Sequence, residues 1–142
     1  MPGPRTFEES KNIRKLNDVV WYANKDSLTI TESRFAESGF SEVIGKETLL
    51  VDINSGSEAI AEGLLDAAQK LEADLIVGVD VGGDVIAQGH EPGLMSPLAD
   101  SMMTAAFAKL ERAIPSLFGL FGYVRDWLFT PDVLEVSLRL IL

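Results

Sequence analysis

The side chains able to do chemistry gather in residues 80–100, where Asp80, Asp84, His90, Glu91, Ser96 and Asp100 fall within one stretch. Asp80 and Asp84 flank the pair Gly82-Gly83, and Glu91 is stiffened by Pro92. Three carboxylates at this spacing suit an all-oxygen site for a hard divalent cation, Mg²⁺ or Ca²⁺, with Asp80, Asp84 and Glu91 as ligands. The same carboxylates suit hydrogen bonds to the hydroxyls of a sugar or nucleotide. Glu91 and His90, the chain's single histidine, are the candidates for proton transfer. Gly82 and Gly83 serve either a turn with positive φ or the close approach of a ligand. A plainer reading stands beside each of these, since loop aspartates cap backbone N–H groups and a lone loop histidine is commonly exposed. Ser96-Pro97 reads as a helix cap followed by the first helical position, with Asp100 favoured in the first turn by the helix dipole.

A second candidate cluster is Asp52 with Asn54-Ser55-Gly56-Ser57. Asp52 ends an apolar run, as Asp80 does, and strand-end aspartates on neighbouring strands would converge on one crevice. Ser55 and Gly56 lie in a turn that resembles an anion cradle at a helix N-terminus, although a turn plus a helix cap accounts for it equally. The ligand-binding set read from the sequence is therefore Asp52, Ser55, Gly56, Gly82, Gly83 and Ser96.

Charge narrows the partners. Twelve basic and 22 acidic residues give a net charge of −10, which argues against nucleic acid, whose phosphates demand basic contacts. No lysine or arginine occurs between Lys70 and Lys109, so a phosphate there would depend on backbone N–H groups alone. With no cysteine there is no disulfide and no thiolate chemistry, and one histidine excludes a multi-histidine metal site from a single chain. No apolar run reaches the roughly 18 residues of a membrane span, and the amino terminus does not read as a signal peptide. The expectation is a cytoplasmic protein with no membrane or nucleic-acid partner.

These residues need elements to position them. A length of 142 residues predicts a single α/β domain. Thr6-Phe-Glu-Glu9 fits a capping box and predicts a short helix from Phe7 to near Lys15. Val19–Tyr22 has the composition of a short edge strand, followed by a turn at Asn24–Ser27. Residues 28–47 predict a short strand and a short helix. From Thr48 onward strands at 49–53, 75–80 and 117–123 alternate with helices at 58–71 and 97–112, and Thr130-Pro131 opens a last helix. That alternation predicts parallel strands joined by crossovers, with ligands bound at their carboxyl ends. The tail ends on Leu138-Arg-Leu-Ile-Leu142 without a polar finish, which predicts a truncated domain or a surface covered by a partner.

Asp80-Val-Gly-Gly-Asp84, Gly89-x-Glu91-Pro-Gly93 and Ser96-Pro-Leu-Ala-Asp100, with Pro2-Gly3-Pro4-Arg5 and Leu50-Val51-Asp52-Ile53, resemble segments of domain-of-unknown-function family 1152, a largely archaeal group. The members this chain resembles are longer at both ends, with an upstream strand followed by a glycine run and an aspartate. The resemblance implies a Rossmann-like three-layer α/β sandwich with a mostly parallel sheet, incomplete here at both ends, and a ligand site without a named substrate or reaction. Together these readings predict a small-molecule site at the strand carboxyl ends. The alternative is a non-catalytic assembly module whose glycine-rich loop makes a subunit contact, with a homo-oligomer or a second chain completing the fold.

Overall fold

The computed structural model describes residues 5–81, 85 and 98–121. The chain divides into two compact units, Met1–Ala73 and Asp74–Leu142.

The first unit is built on antiparallel pairing. Strands β1 (Ser10–Lys11) and β4 (Leu28–Thr29) form one small pair, while β2 (Arg14–Lys15), β3 (Val20–Ala23) and β5 (Thr48–Val51) form a sheet in the order β2-β3-β5. Both contacts of β3 are antiparallel, and Trp21 lies opposite Lys15 on one side and Leu50 on the other. Val20 and, on the opposite face, Trp21 and Ala23 are all buried, so both faces of β3 carry covered residues. Phe7 meets Trp21 edge to face at 5.5 Å, and the Trp21 indole N–H donates to the Asp18 carbonyl at 3.3 Å. Arg14, itself largely exposed, stacks 3.4 Å from the Tyr22 ring centre while pairing with Glu47 at 2.7 Å.

Two helices complete this unit: α1 (Ala36–Ile44), which ends on Gly45 at φ 66°, and α2 (Gly56–Lys70). The left-handed turn at Gly45 lets its N–H return to the Ser41 carbonyl and stops the helix. Helix α2 buries Ile60, Ala61, Gly63, Ala67 and Ala68, a small-residue stripe that permits a close approach. A methyl group at Gly63 would lie 2.8 Å from the Val19 Cβ.

The described residues of the second unit form two parallel strands and a helix that lies between them in the chain. Strands β6 (Ile76–Val81) and β7 (Ser116–Phe121) pair in parallel, joined through α3 (Leu98–Leu110). Ala106, Phe107 and Leu110 of α3 are buried, and Phe107 meets Phe118 edge to face at 5.1 Å. Gly78 allows this packing, because a Cβ there would lie 2.7 Å from Phe118 and 2.8 Å from Phe107. Among the described residues, no helix is long and apolar enough to cross a membrane.

Several expectations are corrected. The sheet is not the mostly parallel Rossmann-like sandwich, because β5 pairs antiparallel with β3 and, among the described residues, only β6 and β7 pair in parallel. Strands 49–53 and 75–80 therefore belong to different sheets. The alternation of strands and helices was real, but it does not say which strands share a ladder. The helix expected from Phe7 is instead a single turn leading into β1. Half of the capping box forms, with the Glu9 carboxylate accepting from the Thr6 N–H at 3.1 Å. Asn12 then turns the chain at φ 57°, which a helix cannot contain. Val19–Tyr22 is the middle strand of its sheet rather than an edge. The predicted helix from Thr130 lies outside the described residues.

Two outcomes follow. Alanine at Gly63 gains about 1 kcal/mol of helix propensity but overpacks a branched β-carbon, at a cost of about 1–3 kcal/mol. Urea denaturation of Gly63→Ala should therefore show a lower midpoint; a rise would mean that α2 moves away freely. The second concerns Asp66, whose carboxyl is held below its usual range by hydrogen bonds from Lys70 and then Asn17. A depressed folded value contributes stability above the unfolded value that is lost as pH falls through the folded one. Denaturation midpoints of Asp66→Asn should thus fall less than those of the wild type between about pH 5 and pH 2, and parallel curves would refute the assignment.

Candidate functional site

The predicted residues divide between the two units. Asp52, Ser55 and Gly56 lie together at the carboxyl end of β5. Asp80 belongs to β6 in the second unit, and Gly82, Gly83, Asp84, His90, Glu91 and Ser96 lie outside the described residues. Among the described residues no group of three potential metal-ligating side chains occurs. Since β5 and β6 are not partners in one sheet, they do not form the expected crevice between adjacent strands.

Asp80 is the penultimate residue of β6, opposite Leu120. Alternation places it on the same side of the strand as Gly78, the side covered by α3. It is half-buried, and its Oδ2 is shielded from solvent.

At the end of β5 the local chemistry is a tight turn. The Asp52 Oδ1 accepts from the Asn54 N–H at 2.9 Å and from the Asn54 Nδ2 at 2.7 Å. That caps a turn of 3-10 helix, Ile53–Ser55, which leads directly into α2. Gly56 takes φ 87° with open space around its missing Cβ, so backbone conformation rather than close approach explains the glycine. Ser55 precedes α2 but makes no capping hydrogen bond through its side chain, and Ser57 lies inside the helix rather than at its cap. A carboxylate, not an exogenous anion, satisfies the N–H at Asn54.

Beside this turn is a groove of about 270 Å³. Leu50 and Val51 of β5 line it, with Ile53 from the turn and Trp21 from β3. Phe35 and Glu37 reach it from the start of α1, and Arg5 from the amino-terminal segment. Two hydrogen bonds fix the approach of Arg5 and its neighbour: Asn54 Nδ2 donates to the Arg5 carbonyl at 3.3 Å, and Glu9 accepts from Thr6. Among the described residues the Arg5 guanidinium has only a long ionic contact, 3.9 Å, with Glu9. Thr48 Oγ1 donates to the Glu37 carbonyl at 3.1 Å and ties the first turn of α1 to β5. The lining is therefore apolar, with one cation and one carboxylate. Sequence reasoning located this strand end through Asp52 but missed the groove. Trp21, Phe35 and Glu37 meet there only through antiparallel pairing and helix packing, whereas Arg5, Leu50, Val51 and Ile53 belong to the segments Pro2-Gly3-Pro4-Arg5 and Leu50-Val51-Asp52-Ile53 already singled out in the sequence.

The described residues form a mixed α/β protein with a groove beside the carboxyl end of β5. The chain belongs to the family described as Protein of unknown function (DUF1152), which matches residues 1–131. Comparison with curated proteins found no match, and comparison with solved structures found none.

Asp52→Ala removes both hydrogen bonds of the turn and should destabilise the protein by about 1 kcal/mol, the usual cost of losing a cap. Ser55→Ala should stay within about 0.5 kcal/mol of the wild type. Equal effects in urea denaturation would overturn this division of roles.

Proposed function

We propose that the protein binds a small molecule in the groove at the carboxyl end of β5. The observation that carries this reading is the coincidence of an apolar cavity with two opposite charges beside a strand-end turn. Ligand sites combine these features, an apolar lining with few polar groups that set orientation. A volume of about 270 Å³ lies just below the range of about 300–1,000 Å³ for drug-sized ligands and suits a single-ring metabolite better than a nucleotide. The reading names a binding site and not a reaction, because the catalytic candidates His90 and Glu91 lie outside the described residues.

A second reading, an assembly module, draws on a separate observation. In the parallel pair Val77 lies opposite Leu117 and Val81 opposite Phe121, and all four are exposed together with Val79. Parallel sheets are normally covered on both faces. Helix α1 likewise turns Phe40, Val43 and Ile44 outward, with Val43 83% exposed. Apolar surface of this kind favours a second copy or another chain.

Chemical-shift mapping of the full chain against a panel of amino acids, carboxylic acids, sugars and nucleosides tests the first reading. At least one compound should move the Trp21 indole and the Leu50 and Val51 amide resonances together and to saturation, and Leu50→Arg should abolish the response. If no compound does so, the binding reading fails. Sedimentation tests the second reading: the wild type should associate with rising concentration and Val79→Asp should not. A monomer at all concentrations would remove it.

A further inference from the structure

The charge arrangement of the groove narrows the ligand class, on the footing that the groove is a ligand site. Five of its lining side chains are apolar, with Trp21 and Phe35 as aromatic surfaces; the two charged members are Arg5 and Glu37. The rest of the protein bears on which charge a ligand carries. At a net charge of −10 the molecule repels simple anions, and a lone carboxylate in the groove would also meet Glu37. A simple cation is drawn to the protein as a whole but would meet Arg5. The Arg5 main chain is pinned at the strand end by Asn54, and among the described residues its guanidinium keeps only the 3.9 Å contact with Glu9, so donors are available to a carboxylate. Glu37 is positioned through its backbone, by Thr48, and that bond does not consume its carboxylate.

We propose that the ligand is a small zwitterion on an aromatic or branched apolar body, the chemistry of a free apolar amino acid. Its carboxylate faces Arg5, its ammonium faces Glu37, and its side chain lies along Phe35, Leu50 and Val51 above the buried Trp21. A neutral pair of charges avoids the repulsion that either singly charged analogue meets, and the apolar body supplies the buried area. Planar, forked donors make Arg5 suited to a carboxylate in a way that lysine would not be.

The experiment uses the full chain and three probes: L-phenylalanine, phenylacetate and 2-phenylethylamine. Binding is read from the Trp21 indole and the Leu50 and Val51 amide resonances. L-Phenylalanine should bind at least about tenfold tighter than either singly charged probe, since each lost charge–charge contact is worth about a factor of ten. Arg5→Gln should bring its affinity down to that of 2-phenylethylamine, and Glu37→Gln down to that of phenylacetate. Spectra of both variants away from the groove should be unchanged, because neither side chain is part of the core. If all three probes bind equally, or if the variants leave L-phenylalanine unaffected, the zwitterion assignment is overturned while the groove stands as a binding site. If no probe moves these resonances, the assignment falls, and the wider panel decides the fate of the binding reading.

Discussion

The first unit depends on the side-chain amide of Asn17. Its Oδ1 accepts from the Val19 and Val20 N–H groups at 3.0 and 2.7 Å, and its Nδ2 donates to the Gly63 carbonyl and the Asp66 carboxylate at 2.8 Å each. One side chain thus starts the central strand and holds α2 against it. Asp66 continues the connection to Lys70 at 2.8 Å, and Lys70 donates to the Leu16 carbonyl at 3.0 Å, which closes a ring of polar contacts. Val19, fixed by this ring, lies over Gly63, so the polar bonds and the close packing require one another. Replacing Asn17 with an apolar residue would leave part-buried donors and acceptors unpaired, which is costlier than the loss of the bonds themselves. Because the Asp52 turn precedes α2 directly, the placement of α2 also determines where β5 ends and where the groove opens.

The same reliance on polar contacts explains an inverted helix. The buried residues of α1 are Ser38 and Ser41, not its aromatic or branched ones. Ser38 Oγ donates to the Ser27 carbonyl at 2.7 Å, and Ser27 Oγ donates to the Asn12 carbonyl at 2.7 Å while accepting from the Asn24 N–H at 2.9 Å. A chain of satisfied hydroxyls pins the helix to the turns beneath it. Burying serines is tolerable because each has partners. Phe40, Val43 and Ile44 then face outward as a matter of helical geometry, spaced at i, i+3 and i+4.

Local signals were legible in the sequence, and ladder assignments were not. The apolar runs before Asp52 and Asp80, the turn at Asn24–Ser27, and the crossover helix α3 all follow from residue type and spacing. Thr6–Glu9 carried a helix signal of which only the Glu9-to-Thr6 bond was realised, because Asn12 and the pairing of Ser10 with Thr29 pull the chain into a strand. The antiparallel partnership of β3 with β5 joins residues about thirty positions apart, beyond the reach of any local pattern. The groove was hidden for that reason. The buried face of α1 was hidden for another, since serines at core positions read as surface until their partners are known.

The parallel pair poses a different energetic problem from the first sheet. Among the described residues this sheet has two strands, a number marginal on its own, and α3 covers one side of it. On that side Gly78 gives up its own side chain so that Phe107 and Phe118 can pack, which concentrates the burial in few contacts. On the other side the β-branched residues that make β6 a good strand remain exposed. Strand propensity and burial therefore point in different directions within one element, a local conflict that a covering surface would remove. Anything that binds this face in the folded state stabilises the unit by mass action, so its stability and its association are one quantity measured in two ways. In the first unit the central strand has no such conflict, since Val20, Trp21 and Ala23 of β3 are buried and the polar groups around Asn17 close into a ring.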